Sequence, residues 1–242
     1  MIVIILAAGS GSRLQPLTKN IPKCLVKYQN KPILKYQLEV FKKLNLKKLF
    51  LVSGYKSEKI NIKQIKKVKN KKFKSTNMLY SLFQLKKLFN GKEDIIISYG
   101  DIIYRKSVLS KLLKTKAQLS TIVDKKWYSY WKKRMSKPLN DAESLILDKN
   151  NFITEIGKKV KTKKNIQGQY IGLTKISKSI APELLNIWKN LCKQKRKIKK
   201  INNLYITDFF MILIRRKLKL KAIFINRGWL EFDTKKDLDI KF

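Results

Sequence analysis

The chain begins with a strongly apolar run that passes directly into a loop of small residues. Ile2–Leu6 contains only aliphatic side chains, and a short apolar run that ends near glycine predicts a buried strand. It is followed by the segment Ala7-Ala8-Gly9-Ser10-Gly11-Ser12-Arg13-Leu14. Because glycine lets backbone N–H groups approach a ligand closely, this order of strand and loop predicts a site that holds phosphate groups.

Two basic side chains support the prediction of a phosphate site. Arg13 offers a fork of N–H donors suited to β- and γ-phosphates. Lys23, held behind the rigid Pro22, supplies a point charge for an α-phosphate. The spacing matches neither GxxxxGK[ST] nor GxGxxG. A simple Gly/Ser turn between a strand and a helix is the alternative, and the combination of Arg13 with Pro22-Lys23 favours phosphate binding.

Segments with strand and helix periodicity alternate along the first half of the chain. After Ile2–Leu6, strands are predicted at Leu49–Ser53 and Ile95–Ser98, and helices at Pro32–Leu44 and Met78–Phe89. Such alternation predicts βαβ units around a largely parallel sheet.

The second half is less regular. Strands are predicted at Leu119–Val123, Ser144–Leu147, Phe152–Ile156, Tyr170–Leu173 and Lys221–Ile225, with helices at Ile180–Leu191 and Ile206–Arg216. The Lys-rich stretches 61–74, 158–164 and 193–200 are interpreted as surface loops or solvated faces. We predict a single domain over 1–242, with a nucleotide-binding half at 1–115 and an acceptor-binding half at 116–242.

The charge is extreme, with 57 Lys and Arg against 16 Asp and Glu, a formal net charge of +41. Clustered cations can bind nucleic acid, but here lysine is spread over the whole length and no nucleic-acid-binding motif is present. The apolar runs are far shorter than the roughly 20 residues that span a bilayer. Two cysteines without CxxC spacing indicate a reduced, intracellular protein. We therefore predict a cytoplasmic protein without a membrane segment, with nucleic acid an unfavoured partner.

Two carboxylates from distant segments are candidate metal ligands. Asp101 follows a predicted strand and Gly100, which places it at the carboxyl end of the sheet. Asp233 lies in Gly228-Trp229-Leu230-Glu231-Phe232-Asp233. A pair of this kind suits a hard cation such as Mg²⁺. Asp101 as a turn former and Asp233 as a helix N-cap stay open as simpler alternatives.

The string LAAGxGxRLxPLTxxxPKCL at Leu6–Leu25 resembles the signature of the nucleoside-triphosphate transferases that activate sugar phosphates and phosphocholine. The resemblance implies an α/β fold of the nucleotide-diphospho-sugar transferase type. This fold has a Rossmann-like mixed, mostly parallel sheet flanked by helices, with a smaller acceptor-binding subdomain. It also implies Mg²⁺-dependent attack of a phosphate oxygen on the α-phosphorus, with Asp101 and Asp233 holding the metal. The nucleotide-binding residues expected are Leu6, Ala8, Gly9, Gly11, Ser12, Arg13, Lys23, Asn77 and Ser81.

Asn77 and Ser81 occupy the place where similar enzymes recognise the base. An asparagine can read the hydrogen-bonding edge of a pyrimidine, or it can cap its own helix. The residues leave these two roles open. CTP is chosen because the chain resembles phosphocholine and aminoalkylphosphonate cytidylyltransferases.

The acceptor region is the least defined part of the site. Aromatic side chains near a carboxylate could enclose an ammonium group by cation–π attraction, although an aromatic core is the alternative. Arg134 or Lys158 could hold the phosphate or phosphonate. The candidate acceptor-binding residues are Trp127, Trp131, Arg134, Tyr170, Asp208 and Glu231. The predicted catalytic residues are Arg13, Lys23 and Lys158.

The sequence thus predicts a cytidylyltransferase that moves CMP from CTP to a small phosphonate or phosphate amine and releases pyrophosphate. The acceptor is 2-aminoethylphosphonate or phosphocholine, and the strings Asp141-Ala142-Glu143-Ser144 and Gln167-Gly168-Gln169-Tyr170 favour the phosphonate slightly. A sugar-1-phosphate nucleotidyltransferase and a non-catalytic nucleotide- or RNA-binding protein are the alternatives. A homodimer is compatible with the sequence.

Overall fold

The computed structural model describes residues 1–242, with thirteen strands and seven α-helices. The strands are β1 Ile2–Ala7, β2 Lys27–Tyr28, β3 Lys31–Pro32, β4 Lys48–Ser53, β5 Ile65–Lys69, β6 Ile95–Tyr99, β7 Ile102–Tyr104, β8 Leu119–Asp124, β9 Glu143–Leu147, β10 Phe152–Lys159, β11 Gln169–Ile176, β12 Leu220–Ile225 and β13 Trp229–Glu231. The helices are α1 Ile33–Lys43, α2 Met78–Leu82, α3 Lys106–Leu113, α4 Trp127–Arg134, α5 Ala181–Cys192, α6 Ile198–Asn202 and α7 Ile206–Arg215. None of them combines the length and the apolar content that crossing a bilayer requires.

Nine strands form one sheet in the order β5-β4-β1-β6-β11-β8-β12-β10-β9. The first four strands of this order are parallel to one another, as are β8 and β12. The pairings of β11 with β6 and β8, and of β10 with β12 and β9, are antiparallel. The predicted mixed sheet is confirmed, and its parallel and antiparallel pairings are equal in number. The pairing of β6 with β11 joins the two predicted halves in one sheet.

Helices cover both faces of the sheet. The side chains of β1 therefore lie alternately in two separate cores, one on each face. Val3 and Ile5 lie in a core with residues of α1, α3 and α4. Ile2, Ile4 and Leu6 lie in the other core, with residues of α2, α5, α6 and α7. A strand buried on both faces needs a continuous apolar sequence, which explains the composition of Ile2–Leu6.

Two predicted segments differ from the structure. The helix predicted over Met78–Phe89 is α2 only as far as Leu82, followed by a 3₁₀ helix from Phe83 to Leu88 with non-helical dihedral angles at Leu85. The Lys-rich stretch 61–74, interpreted as loop or solvated face, contains the edge strand β5. Exposed lysines on an edge strand discourage pairing with another chain, and here they conceal the strand pattern.

Strands β7 and β13 pair antiparallel as a ribbon outside the main sheet, with Trp229 opposite Tyr104 and Glu231 opposite Ile102. Phe232 N donates to Asp101 O at 3.0 Å, which closes one end of the ribbon. Two segments 130 residues apart in the chain thereby bring their carboxylates to the same place.

Candidate active site

The carboxyl ends of β1 and β6 open onto one cleft of about 260 Å³. Open α/β sheets bind ligands at this edge. All nine residues predicted to bind the nucleotide and both predicted metal ligands line the cleft: Leu6, Ala8, Gly9, Gly11, Ser12, Arg13, Lys23, Asn77, Ser81, Asp101 and Asp233. Residues from five separate segments are therefore brought together.

Gly11 fixes the loop against the segment that carries Lys23. Its φ of +63° lies in the left-handed region, and an added Cβ would lie 3.0 Å from Lys23 Cβ. Thr18 Oγ1 donates to Gly11 O at 2.8 Å. A side chain at position 11 would strain the backbone and press on Lys23, so this glycine sets the distance between the loop and the lysine.

Gly100 sets the position of Asp101. A Cβ at Gly100 would lie 2.7 Å from Ala7 Cβ and 2.8 Å from Leu6 O. The backbone itself makes a short contact here, because Gly100 N donates to Leu6 O at 2.8 Å. The turn after β6 can therefore cross the end of β1 only with glycine at this position. This close crossing places Asp101 beside the phosphate loop.

The ammonium group of Lys23 lies between two carboxylates. Its Nζ is 2.6 Å from Asp101 Oδ2 and 2.5 Å from Asp233 Oδ1. Burial opposes the charge, but the two carboxylates prevail and raise the pKa of Lys23. Arg13 also reaches Asp233, with Nη2 at 3.2 Å from Oδ1, although its side chain is 64% exposed. The cations predicted to bind phosphates are thus paired with the carboxylates predicted to bind a metal.

Three carboxylates can meet a metal ion. One oxygen each from Asp101, Glu231 and Asp233 lie within 4.8 Å of one another. Asp101 Oδ1 is buried and has no hydrogen-bond partner. An all-oxygen donor set with an unsatisfied buried oxygen suits Mg²⁺. Glu231, predicted as an acceptor ligand, thus lies with the two predicted metal ligands.

Arg134 is an internal counter-ion of this cluster. Its side chain is 1% exposed and donates to Glu231 Oε2 at 2.5 Å, Asp233 Oδ2 at 3.1 Å and Asp237 Oδ1 at 3.0 Å. These bonds leave its guanidinium enclosed among protein carboxylates. The predicted contact between Arg134 and the acceptor phosphate is therefore corrected: Arg134 pairs with Glu231, Asp233 and Asp237 and holds these carboxylates in position. Asp237 was missed because nothing local in the sequence links it to helix α4.

The charges in the cluster are unequal. Burial and then repulsion from Asp233 raise the pKa of Glu231 to about 8. Burial opposes ionisation of Asp233 too, but Lys23 and then Arg13 hold the pKa of Asp233 below its usual value. The Glu231 carboxylate is therefore less stabilised by neighbouring cations than the Asp233 carboxylate, as expected for a carboxylate beside a proposed metal site.

Trp127 and Trp131 do not line the cleft, which corrects their predicted role as acceptor ligands. They are 4% and 3% exposed, and share one face of α4 with Tyr130 and Arg134 because residues three and four apart lie together on a helix. Trp131 packs 6.0 Å from Trp229 between ring centroids, and the Arg134 guanidinium lies 5.0 Å from the Trp131 ring. The cation–π partner is thus the protein's own arginine.

The remaining predicted acceptor residues also lie outside the cleft lining. Lys158 is exposed and pairs with Glu155, so its predicted catalytic role has no support in the geometry. Tyr170 packs against Phe210, 5.6 Å between ring centroids. Asp208 Oδ2 accepts from Tyr205 N at 2.8 Å and so caps α7.

Asp141, Glu143 and Asp208 form an acidic cluster beside the phosphate loop, which was not assigned as a cluster from the sequence. Burial, then Asp208 and Asp141, raise the pKa of Glu143 to about 7, and the Glu143 carboxylate forms no ion pair. Arg13 Nη1 lies 3.8 Å from Asp141 Oδ1, which connects the acidic cluster to the cleft. The string Asp141–Ser144 had marked this region, but nothing in it singled out Glu143.

Asn77 caps its helix, and its amide nitrogen remains available at the cleft. Its Oδ1 accepts from Met78 N at 2.8 Å and caps α2. Its Nδ2 makes no hydrogen bond within the chain, while the residue lines the cleft. Ser81 Oγ is engaged by Asn70 Nδ2 at 3.1 Å, so Asn77 has the freer donor of the two.

The comparisons with known proteins agree with this geometry. The nucleotidyl transferase family model matches residues 2–137. The chain is 38% identical to the CTP:phosphoglutamine cytidylyltransferase of Campylobacter jejuni, with 100% of this chain and 99% of that protein aligned. It therefore belongs to the nucleotidyl transferase family and is a nucleotidyltransferase.

Solved structures show the same fold. The CTP:phosphocholine cytidylyltransferase of Streptococcus pneumoniae matches with a TM-score of 0.72 at 20% identity, over 98% of this chain and 95% of that one. The inositol-1-phosphate CTP transferase of T. maritima matches with a TM-score of 0.72 at 20% identity, over 98% and 91% of the two chains. These matches confirm the predicted fold type.

Proposed function

We propose that the protein transfers CMP from CTP to a small phosphate or phosphonate that carries a cationic nitrogen, and releases pyrophosphate. The observation that carries the proposal is the meeting of the glycine loop, Arg13, Lys23, Asp101 and Asp233 in one cleft. Phosphate-binding cations and metal-binding carboxylates must lie this close if one triphosphate is to contact the cations directly and the carboxylates through a metal ion.

The choice of CTP has two supports. The 38% identical relative is named as a CTP enzyme. The free Nδ2 donor of Asn77 at the cleft suits the O2 and N3 acceptors of cytosine, while Oδ1 keeps the helix capped. Asn77 is therefore our candidate for recognition of the base.

The reaction needs positioning more than proton transfer. An oxygen of the acceptor's phosphate, already an anion, forms a bond to the α-phosphorus as the bond to the leaving pyrophosphate breaks. Lys23 and Arg13 exchange their carboxylate partners for the phosphates and neutralise the charge that accumulates there. Asp101, Asp233 and Glu231 would hold Mg²⁺, which supplies further positive charge at the α-phosphate when bound.

The acidic cluster of Asp141, Glu143 and Asp208 supports an amine on the acceptor. Its carboxylates are unusual in a chain of formal charge +41, and an ammonium group would relieve their repulsion. Phosphoglutamine, 2-aminoethylphosphonate and phosphocholine all carry a cationic nitrogen, whereas inositol and hexose phosphates carry none. Phosphoglutamine is our first candidate because it is named for the relative at 38% identity.

One assay tests the proposal. The four nucleoside triphosphates are crossed with phosphoglutamine, phosphocholine, 2-aminoethylphosphonate and a hexose-1-phosphate, and pyrophosphate release is measured. We expect CTP with an amine acceptor to give the highest rate. A preference for the hexose phosphate would establish the sugar-1-phosphate alternative. No release with any pair, together with salt-sensitive RNA binding, would favour the non-catalytic alternative.

A further inference from the structure

A second cavity of about 380 Å³ lies at the other end of the β7–β13 ribbon. Asp101 precedes β7 and faces the active site, whereas Arg105 follows β7 and lines the second cavity. On the partner strand, Gly228 lies at the cavity end and Asp233 beyond the cleft end. Arg105 N donates to Gly228 O at 2.9 Å, which closes the ribbon at the cavity.

The cavity is lined by five cations and by no acidic side chain: Arg105, Lys111, Lys133, Arg227 and Lys241. Arg227 Nη1 is held by Asp124 Oδ2 at 3.0 Å, and the other four cations form no ion pair. Lys111 Nζ reaches only the backbone oxygen of Phe224, at 3.5 Å. Like charges gathered around one space repel unless an anion lies between them.

The first turn of α3 adds to the positive potential. The helix begins at Lys106, and no side chain caps its amino end. The hydroxyl group of Ser107 lines the cavity and forms no hydrogen bond within the chain. Free N–H groups at the start of a helix attract anions, so the helix end and the cations point to the same kind of ligand.

We propose that this cavity is a second binding site, for a compact polyanion of the diphosphate class. A single carboxylate would leave most of the five cations unpaired, whereas a diphosphate offers several charged oxygens that can each meet a different donor. The site lies one short strand away from the metal carboxylates and does not depend on the transfer reaction.

Inorganic pyrophosphate without divalent metal is the probe, and isothermal titration counts its sites on the full chain. The test variant is Lys111→Glu with Lys133→Glu. Its control is Lys42→Glu with Lys189→Glu. All four lysines are exposed and lie in the last turn of a helix, so both variants lose the same charge in the same helix context.

We expect two sites in the wild type and in the control, and one in the test variant, in which the second site weakens about tenfold or more. If pyrophosphate binding weakens equally in both variants, the effect is one of bulk charge and the proposal is overturned. The proposal is also overturned if the wild type shows only one site and the test variant retains it. If circular dichroism shows the test variant unfolded, Lys111→Gln with Lys133→Gln replaces it, with a smaller loss of the second site expected. Because binding is measured rather than turnover, failure here leaves the transfer reaction untouched.

Discussion

Asp233 pairs both with the cations that lie at the cleft and with the enclosed Arg134. Its Oδ1 contacts Lys23 and Arg13, and its Oδ2 contacts Arg134. Arg13 and Lys23 lie at the cleft, where a phosphate can take them as partners, whereas Arg134 is enclosed. In the proposed reaction, binding of a triphosphate would therefore release Oδ1 of Asp233 while Oδ2 stays fixed by Arg134.

Asp101 is the residue on which the proposed metal depends most. We expect Asp101→Ala to lower pyrophosphate release by about a hundredfold or more. It should keep its fold, because the side chain's one bond is to Lys23 and its Oδ1 has no partner. Turnover and thermal melting are measured beside Asp239→Ala, an exposed carboxylate without an ion pair. Near-normal turnover in Asp101→Ala would remove the metal assignment.

Lys23 should weaken metal binding in the absence of nucleotide but support transfer of the nucleotide. Since its ammonium lies between Asp101 and Asp233, an incoming cation has to displace it. We expect Lys23→Met to bind Mn²⁺ more tightly in the absence of nucleotide, by about tenfold, and to lose transfer activity. Electron paramagnetic resonance of free Mn²⁺ measures the first effect, with the exposed Lys27→Met as control. Weaker Mn²⁺ binding would show that Lys23 organises the carboxylates instead of competing for them.

Glu143 should make the protein less stable as pH rises. Its pKa is about 7 in the folded chain against an ordinary 4.5, so between these values the folded state holds the proton more strongly. Stability from this group is complete below 4.5 and falls as pH rises to about 7. We expect Glu143→Gln to be more stable than wild type above pH 7 and no more stable below 4.5, by urea midpoints. The exposed Glu183→Gln should show no such difference, and equal pH profiles for Glu143→Gln and wild type would contradict the assignment.

The segment that forms helix α4 was singled out from the sequence for its aromatic residues, but the helix itself was not predicted and the role of the segment was mistaken. The aromatic pattern is visible in the sequence, but a Trp that faces a core and a Trp that faces a ligand have the same local signature. Arg134 meets Glu231 and Asp237 from about a hundred residues further along the chain, and no periodicity reports such a contact. The phosphate loop and Asp101 were predictable because both follow directly from the ends of strands.

The ion-pair network of α4 should be costly to break. Arg134→Met leaves Glu231, Asp233 and Asp237 without their shared counter-ion, and we expect a loss of about 3–5 kcal/mol of unfolding free energy. Lys132→Met, on the exposed side of the same helix, should change it by less than about 0.5 kcal/mol. Chemical denaturation measures both variants. Similar values for the two would show that the network adds little.

At the scale of the whole molecule, a formal charge of +41 over 242 residues opposes the compact state. Added salt shortens the screening length from about 30 Å at 0.01 M to about 10 Å at 0.1 M. We expect the melting temperature to rise over this range because long-range repulsion is screened more than the short buried pairs. Sucrose, which carries no charge, serves as the comparison for general solvent effects. A fall in melting temperature with salt would mean that attractive surface pairs dominate.

The order of strands could not have been read from the sequence. β6 pairs with β11 rather than with β8, the next main-sheet strand along the chain, and such a choice depends on the packing of the whole sheet. The strands of the main sheet other than β5, by contrast, were predictable within a few residues because burial on one or both faces leaves a local pattern.

The placement of the acidic residues bears on how the proposed metal would reach its site. Seven of the 16 acidic residues gather around the cleft and its acidic neighbour: Asp101, Asp141, Glu143, Asp208, Glu231, Asp233 and Asp237. With 57 Lys and Arg along the chain, a free divalent ion would approach against the field, whereas a metal–triphosphate complex, negative overall, would be drawn inward. The protein's own charge therefore favours a metal that arrives already carried by its nucleotide.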